Sequence, residues 1–182
     1  MKTTIGLIII MLAPSLIFAQ EFRKEETAMR FYEPTLMVGR IIPNHSEYPN
    51  IGFLQAYSLS IGRFNYKPES TWASFYNYPL TGIQLSFSQL GNRKELGNEY
   101  RIVPFIELNT RNRLHNTFLF RGSLGASYTT KYYNEMSNPN NKMLGSAFNW
   151  AFMVSVYYNL KVSKQGILRL GGGYLHSSNG HI

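Results

Sequence analysis

Large apolar residues alternate with small or polar ones along segment after segment of this chain, and this period of two constrains the fold most. In the clearest segment, 147–160, one face carries the large apolar residues Phe148, Trp150, Phe152, Val154, Val156, Tyr158 and Leu160. The other face is mainly small or polar. Because successive side chains of a β-strand point to opposite faces, the pattern predicts an all-β fold.

Six further segments show the same alternation, some more weakly, so the chain is predicted to contain seven strands. The other six are Thr35–Ile42, Phe53–Arg63, Leu80–Leu90, Arg101–Thr110, Phe118–Thr129 and Gly166–His176. Residues typical of turns lie between them. Residues Glu21–Glu33 form a polar lead-in to which the pattern assigns no element.

The distribution of charge favours a β-barrel in a membrane. Charged residues make up only 15% of the chain, against about 25% in an average soluble domain. Most charges fall in the predicted connections, including Arg93, Lys94, Glu95, Glu99, Arg111 and Arg113. A bulky apolar outer face and a small polar inner face are typical of antiparallel outer-membrane barrels. A soluble barrel or sandwich with the bulky face inside is the alternative.

The first residues are typical of a secretory signal peptide. Lys2 precedes an apolar run from Ile5 to Phe18, and Ala19 is a small residue suited to cleavage. The run is shorter than the roughly 20 apolar residues that a membrane-spanning helix needs, although an anchoring helix is the alternative. The sequence predicts a signal peptide over residues 1–19 and one β-barrel domain over residues 20–182.

Groups that could carry chemistry lie at the end of the last predicted strand. His176 and Ser178 are two residues apart, so in extended backbone they share a face at about 7 Å between Cα atoms. An imidazole beside a hydroxyl is the minimum for nucleophilic acyl transfer. Asn179 and Gly180 follow and could donate N–H groups to an oxyanion. A plain turn after the last strand explains the same residues.

If Leu168 and Leu170 face lipid, the same alternation turns His176 and Ser178 toward lipid. A hydrophilic pair on the outer wall suits a substrate that is itself a lipid.

The segment 174–181 resembles the His-x-Ser-Asn signature of the lipid A 3-O-deacylases of the PagL type. It is similar also to their relatives known as acyloxyacyl hydrolases in Bacteroidetes-like bacteria. The resemblance covers nearly the whole chain after the predicted signal peptide. Further similar segments are 41–46, 89–97, 100–107, 131–133, 138–141 and 145–146.

This resemblance implies an eight-stranded barrel in the bacterial outer membrane, with lipid A of lipopolysaccharide and the surrounding lipids as partners. The implied activity is release of the ester-linked 3-hydroxyacyl chain at position 3 of lipid A, by a serine-hydrolase mechanism without a metal or other cofactor. Carried over, His176 is the general base, Ser178 the nucleophile and Asn179 an oxyanion-hole residue. Gly180 is a weaker candidate for the oxyanion hole.

The chain departs from the family at one point. The family places an orienting glutamate about a dozen residues after the serine, whereas this sequence ends at Ile182. The resemblance therefore predicts that the acid and the closing strand lie beyond Ile182, with about seven strands present in a truncated chain. Glu107 is the carboxylate predicted within a strand, but nothing in the sequence brings it to His176. Loss of a triad's acid typically costs about 10⁴-fold in rate.

Two other functions stay open at this stage: a structural or adhesive outer-membrane barrel without activity, and a soluble periplasmic lipid-binding barrel. The absence of cysteine and four scattered histidines give no metal-ligand spacing. There is no basic stripe or motif for nucleic acid, and no signal for the oligomeric state. His45 and His115 are interpreted as surface-loop residues; His181 could be a second site histidine, although an incidental position is favoured.

Overall fold

A computed structural model describes residues 7–19, 30–42, 49–65, 70–111, 115–163 and 166–179. These residues form a closed antiparallel barrel of eight strands in chain order, with the last strand paired to the first. The strands are β1 Leu7–Ala19, β2 Arg30–Ile42, β3 Leu54–Phe64, β4 Leu80–Gln89, β5 Asn98–Asn109, β6 Thr117–Thr129, β7 Phe148–Lys161 and β8 Gly166–Ser178. One short helix, α1 (Thr71–Phe75), lies between β3 and β4. The predicted all-β barrel is confirmed.

All seven predicted strands are present, and β2 begins earlier than predicted, within the lead-in that was left without an element. The seven predicted strands are β2–β8, and β1 adds an eighth strand between β2 and β8. This strand consists of residues from the segment predicted to be a signal peptide. Cleavage after Ala19 stays a prediction.

The bulky side chains lie on the outside of the barrel. Along β7, Trp150 is 64% exposed, whereas its neighbour Ala151 is fully buried in the lumen. The same alternation of exposed and buried residues runs through β2, β3, β5 and β6. This arrangement is opposite to the soluble alternative, in which the large apolar face would be inside. Among the described residues, no helix has the length and apolar character needed to cross a membrane.

The end of the barrel at which β8 terminates, called here the site rim, is covered by loops 90–97 and 130–147. Their side chains Leu90, Leu96, Met143 and Leu144 are buried in one apolar cluster with residues of the wall. The two loops are joined because the Nδ2 atoms of Asn138 and Asn141 each donate to the Glu95 carbonyl at 2.9 Å. The loops are therefore tied to each other and packed over the lumen.

The opposite half of the lumen holds four buried charges, called here the four-charge network: Glu33, Glu107, Arg121 and Arg169. Glu107 Oε2 accepts from Arg121 Nε and from Arg169 at 2.8 Å each. Glu33 pairs with the same two arginines and also accepts from Ser15 Oγ at 2.9 Å. Two carboxylates and two guanidinium groups balance, which offsets the cost of burying charge.

The charges were predicted mostly in the connections, and this was wrong for Glu99, which lies in β5 with its side chain buried. Glu33, in the lead-in to which no element was assigned, lies in β2. The interior is consequently more charged than the small, weakly polar face expected from the alternation alone.

Glycine in β8 makes room for a large buried ring. A Cβ atom at Gly171 would lie 2.5 Å from Cδ1 of Tyr157 and 2.3 Å from a carbonyl oxygen of β7. The Tyr157 ring in turn lies against the guanidinium groups of Arg121 and Arg169, at 5.1 and 4.9 Å from its centroid. The glycine therefore lets the ring pack between the wall and the four-charge network.

Candidate active site

His176 and Ser178 lie on the outer face of β8, near its end. His176 is directly opposite Phe152 and Ser178 directly opposite Trp150 on β7. Directly paired residues of neighbouring strands project to the same face, and both aromatic residues are exposed on the outside. Leu170, six residues earlier and therefore on the same face of β8, is 45% exposed. The structure thus brings the predicted pair together on the outward wall.

One imidazole nitrogen of His176 has no hydrogen-bond partner among the described residues. Its Nδ1 atom is buried and forms no hydrogen bond with the described residues. In an imidazole that acts as a base, one nitrogen takes the proton while a bond from the other fixes the ring. Nδ1 is the atom to which an orienting acceptor would bind.

Glu107 is not that acceptor. Its two carboxylate oxygens are bound by Arg121 and Arg169 inside the lumen, whereas His176 faces outward. Glu99 also lies inside the barrel. The orienting acid of the family is therefore not identified within the part of the chain that the structure describes.

Asn179, the residue after Ser178, borders a groove at the site rim. Ser178 itself is 8% exposed. The side chain of Asn179 lies close to Gly145, where an added Cβ would be 3.0 Å from Asn179 Nδ2. A groove of about 490 Å³ opens beside these residues, lined by Asn179, Ala126, Ser146, Phe148, Asn149 and Trp150. Gly180 lies outside the described residues.

Ser177 points in the opposite direction, into the lumen, and it belongs to a second buried cluster. Its Oγ donates to Glu99 Oε1 at 2.6 Å. Glu99 Oε2 accepts from Arg101 at 2.8 Å, and Arg101 also donates to Ser88 Oγ at 2.8 Å. These four residues are called here the site-rim cluster. Sequence reasoning missed it, although Glu99, Arg101 and Glu107 share the inward face of one strand.

An imidazole and a hydroxyl lie on one face of β8, with an amide next in sequence and a groove nearby. These are the types of group that acyl transfer on an ester requires. Within the described residues, no group of three histidine or acidic side chains could hold a metal ion.

Comparison with known families gives one match. Residues 61–182, about two thirds of the chain, match the family model described as lipid A 3-O-deacylase (PagL). The matched region runs from within β3 through β8 and includes the outward pair. No curated protein and no solved structure matches the chain.

Proposed function

We propose, since the chain belongs to the lipid A 3-O-deacylase (PagL) family, that it removes the ester-linked acyl chain at position 3 of lipid A. Members of this family are outer-membrane hydrolases that act on lipid A, and the closed β-barrel fits that location. The finer assignment makes Ser178 the nucleophile and His176 the general base.

The proposed reaction needs only groups of the protein and water. His176 takes the proton of the Ser178 hydroxyl as Oγ attacks the ester carbonyl, and a tetrahedral oxyanion forms. Asn179 stabilises this oxyanion with its N–H groups. Collapse of the intermediate breaks the bond to the sugar oxygen, which receives the proton from His176. Water then attacks the acyl-serine with the same histidine as base, and this releases the fatty acid and restores Ser178.

The observation that carries the proposal is the outward position of His176 and Ser178 at the barrel end. A lipid in the surrounding leaflet reaches this face directly, without passing through the lumen. Exposed Trp150 and Phe148 flank the site, and aromatic side chains of this kind line the membrane interfaces of outer-membrane barrels.

The Nδ1 atom of His176, which has no partner within the described part of the chain, is consistent with the family's triad. In such triads a carboxylate accepts a hydrogen bond from the second ring nitrogen and holds the imidazole in the productive tautomer. In the described residues this nitrogen has no bond. We therefore propose that the mature enzyme supplies a carboxylate at this position.

Mass spectrometry of lipid A tests the proposal. Cells that express the protein from its full reading frame should contain lipid A that lacks one hydroxyacyl chain. The loss should disappear in Ser178→Ala and His176→Ala, since removal of the nucleophile or the base of such a site costs about 10⁶-fold in kcat. Ser123→Ala, at a buried serine whose Oγ has no bond among the described residues, is the matched control and should keep activity. Unchanged lipid A with the correctly assembled protein would favour a structural or adhesive barrel.

A further inference from the structure

We propose that Glu99 is a positioning residue for the reaction, which acts through Ser177 to hold His176 and Ser178 in place. This inference rests on the proposed function and adds to it a residue on the far side of the lumen. Glu99 does not touch the outward pair, so it is not a catalytic residue.

The contact that carries the inference is short and fully buried. Ser177 Oγ and Glu99 Oε1 are 2.6 Å apart, and both residues are 0% exposed. Hydrogen bonds from a hydroxyl to a carboxylate are about twice as strong as those between neutral groups. Apolar side chains, including Leu175 and Leu90, fill this half of the lumen, and a low local dielectric strengthens such a bond further.

This bond crosses the interior rather than following the wall. Ser177 lies on β8 and Glu99 on β5, and in the barrel β6 and β7 separate these strands. Backbone hydrogen bonds connect β8 only to its two neighbours, β7 and β1. The bond from Ser177 to Glu99 connects β8 to the opposite wall of the barrel. Arg101 donates to the Glu99 carboxylate at 2.8 Å and is itself held by a second 2.8 Å bond, to Ser88 Oγ.

Ser177 is the residue between the proposed base and the proposed nucleophile. A strand backbone couples the direction of each residue to that of its neighbours, so fixing Ser177 inward fixes His176 and Ser178 outward. The bond lies at the end of β8, which stops at Ser178, and strand ends are where local opening begins. A displacement of about 1 Å in a reacting group can lower a rate by about 10²-fold.

Threonine and valine have nearly the same shape, so substituting each for Ser177 distinguishes loss of the hydroxyl from a change in side-chain volume. Ser177→Thr keeps the donor, whereas Ser177→Val removes it in the same space. Purified full-chain protein in detergent is assayed for kcat and KM on lipid A, and for the rate at which a fluorophosphonate probe labels Ser178. We expect Ser177→Val to lower kcat and labelling by about 10- to 100-fold with KM unchanged, and Ser177→Thr to stay near the parent protein.

Three controls keep the result specific. Ser123→Val, at a buried inward serine that has no hydrogen bond in the described residues, should leave kcat unchanged. Ser177→Ala should repeat the fall seen with Val, and it replaces that variant if Val prevents folding. In a Glu99→Gln background, the fall caused by Ser177→Val should be smaller, because the charged acceptor is already gone.

The outcomes distinguish this inference from the proposed function. If Ser177→Val and Ser177→Ala both match the parent rate while Ser178→Ala is inactive, the positioning role is wrong and the proposed function stands. If kcat falls equally in Ser123→Val, the effect is general to the barrel and the positioning role is again wrong. If the parent protein neither hydrolyses lipid A nor reacts with the probe, both are wrong.

Discussion

The two halves of the lumen each bury charge, but they connect it to different parts of the protein. In the four-charge network, every carboxylate and guanidinium is bound to an opposite charge on another strand. In the site-rim cluster, one ion pair lies along a single strand, and the carboxylate reaches across the lumen to Ser177. The ion pairs of the four-charge network connect its own four members, whereas the site-rim cluster includes Ser177, which lies between the two proposed catalytic residues.

This difference predicts that the two clusters affect separate quantities. Disrupting the four-charge network should lower the free energy of unfolding and leave the rate per folded molecule unchanged. Disrupting the bond to Ser177 should lower the rate per folded molecule. The following substitutions test that separation.

The largest effect on stability is expected from Arg169→Met. The change leaves Glu33 and Glu107 with one cation fewer in a buried site, and breaking buried pairs of this kind costs about 3–5 kcal/mol. Urea titration, with folded and unfolded forms separated by electrophoresis without heating, measures the loss. Exposed Arg93→Met should change stability by less than about 0.5 kcal/mol. A fall in the rate per folded Arg169→Met molecule would contradict the separation.

Ser88→Ala should lower the free energy of unfolding by less than Arg169→Met does. It tests the bond between Arg101 and Ser88 separately from the bond between Glu99 and Ser177. Ser88 accepts from Arg101 at 2.8 Å but does not bind Glu99. Loss of a hydrogen bond to a charged group costs about 1.5–3 kcal/mol, so the urea midpoint should fall. The rate per folded molecule should change by less than about twofold, in contrast to Ser177→Val. An equal fall in rate would mean that the whole cluster, not the bond to Ser177, orients the pair.

Ser15→Ala tests whether β1 belongs to the mature barrel. Ser15 Oγ donates to Glu33 Oε1 at 2.9 Å, and its loss should cost about 1.5 kcal/mol in a protein that keeps β1. Intact mass of the protein extracted from membranes shows whether residues 1–19 are present. A chain that begins at Gln20, as the sequence predicts, would be indifferent to the substitution.

The smallest effect is expected from Gly145→Val, on the loop above the site. The added Cβ would lie 3.0 Å from Asn179 Nδ2, so the amide must shift by a few tenths of an ångström. We expect kcat to fall about threefold with little change in stability, since Asn179 would remain near the oxyanion. Gly122→Val, at a glycine with open space around its Cβ position, is the control. Equal kcat in both variants would argue against Asn179 as an oxyanion donor.

The alternation of residues along the sequence was sufficient to predict most strands of the barrel wall. In β7, every second residue from Phe148 to Leu160 is large and apolar or aromatic, so both the strand and its outer face could be predicted from the sequence. The outward position of His176 and Ser178 followed from the same period. These features depend on neighbours one or two residues away, which a single sequence shows directly.

The buried clusters could not be predicted, because their partners are distant in the chain. Glu33 stands beside Pro34 and resembles a loop residue, yet its partners Arg121 and Arg169 are 88 and 136 residues away. Glu99 and Ser177 are separated by 78 residues. For β1, a continuous apolar run without alternation is compatible with a signal peptide and with a strand, so the pattern could not distinguish them.

The outward position of His176 and Ser178 also determines how this site would meet a substrate. A group on the lipid-facing wall encounters lipids that diffuse in two dimensions. The substrate concentration that sets the rate is therefore its mole fraction in the surrounding membrane or micelle. Adding inert detergent at constant total substrate should therefore slow turnover by surface dilution, even though the bulk molarity is unchanged. An enzyme whose cleft opened to water would show no such dependence.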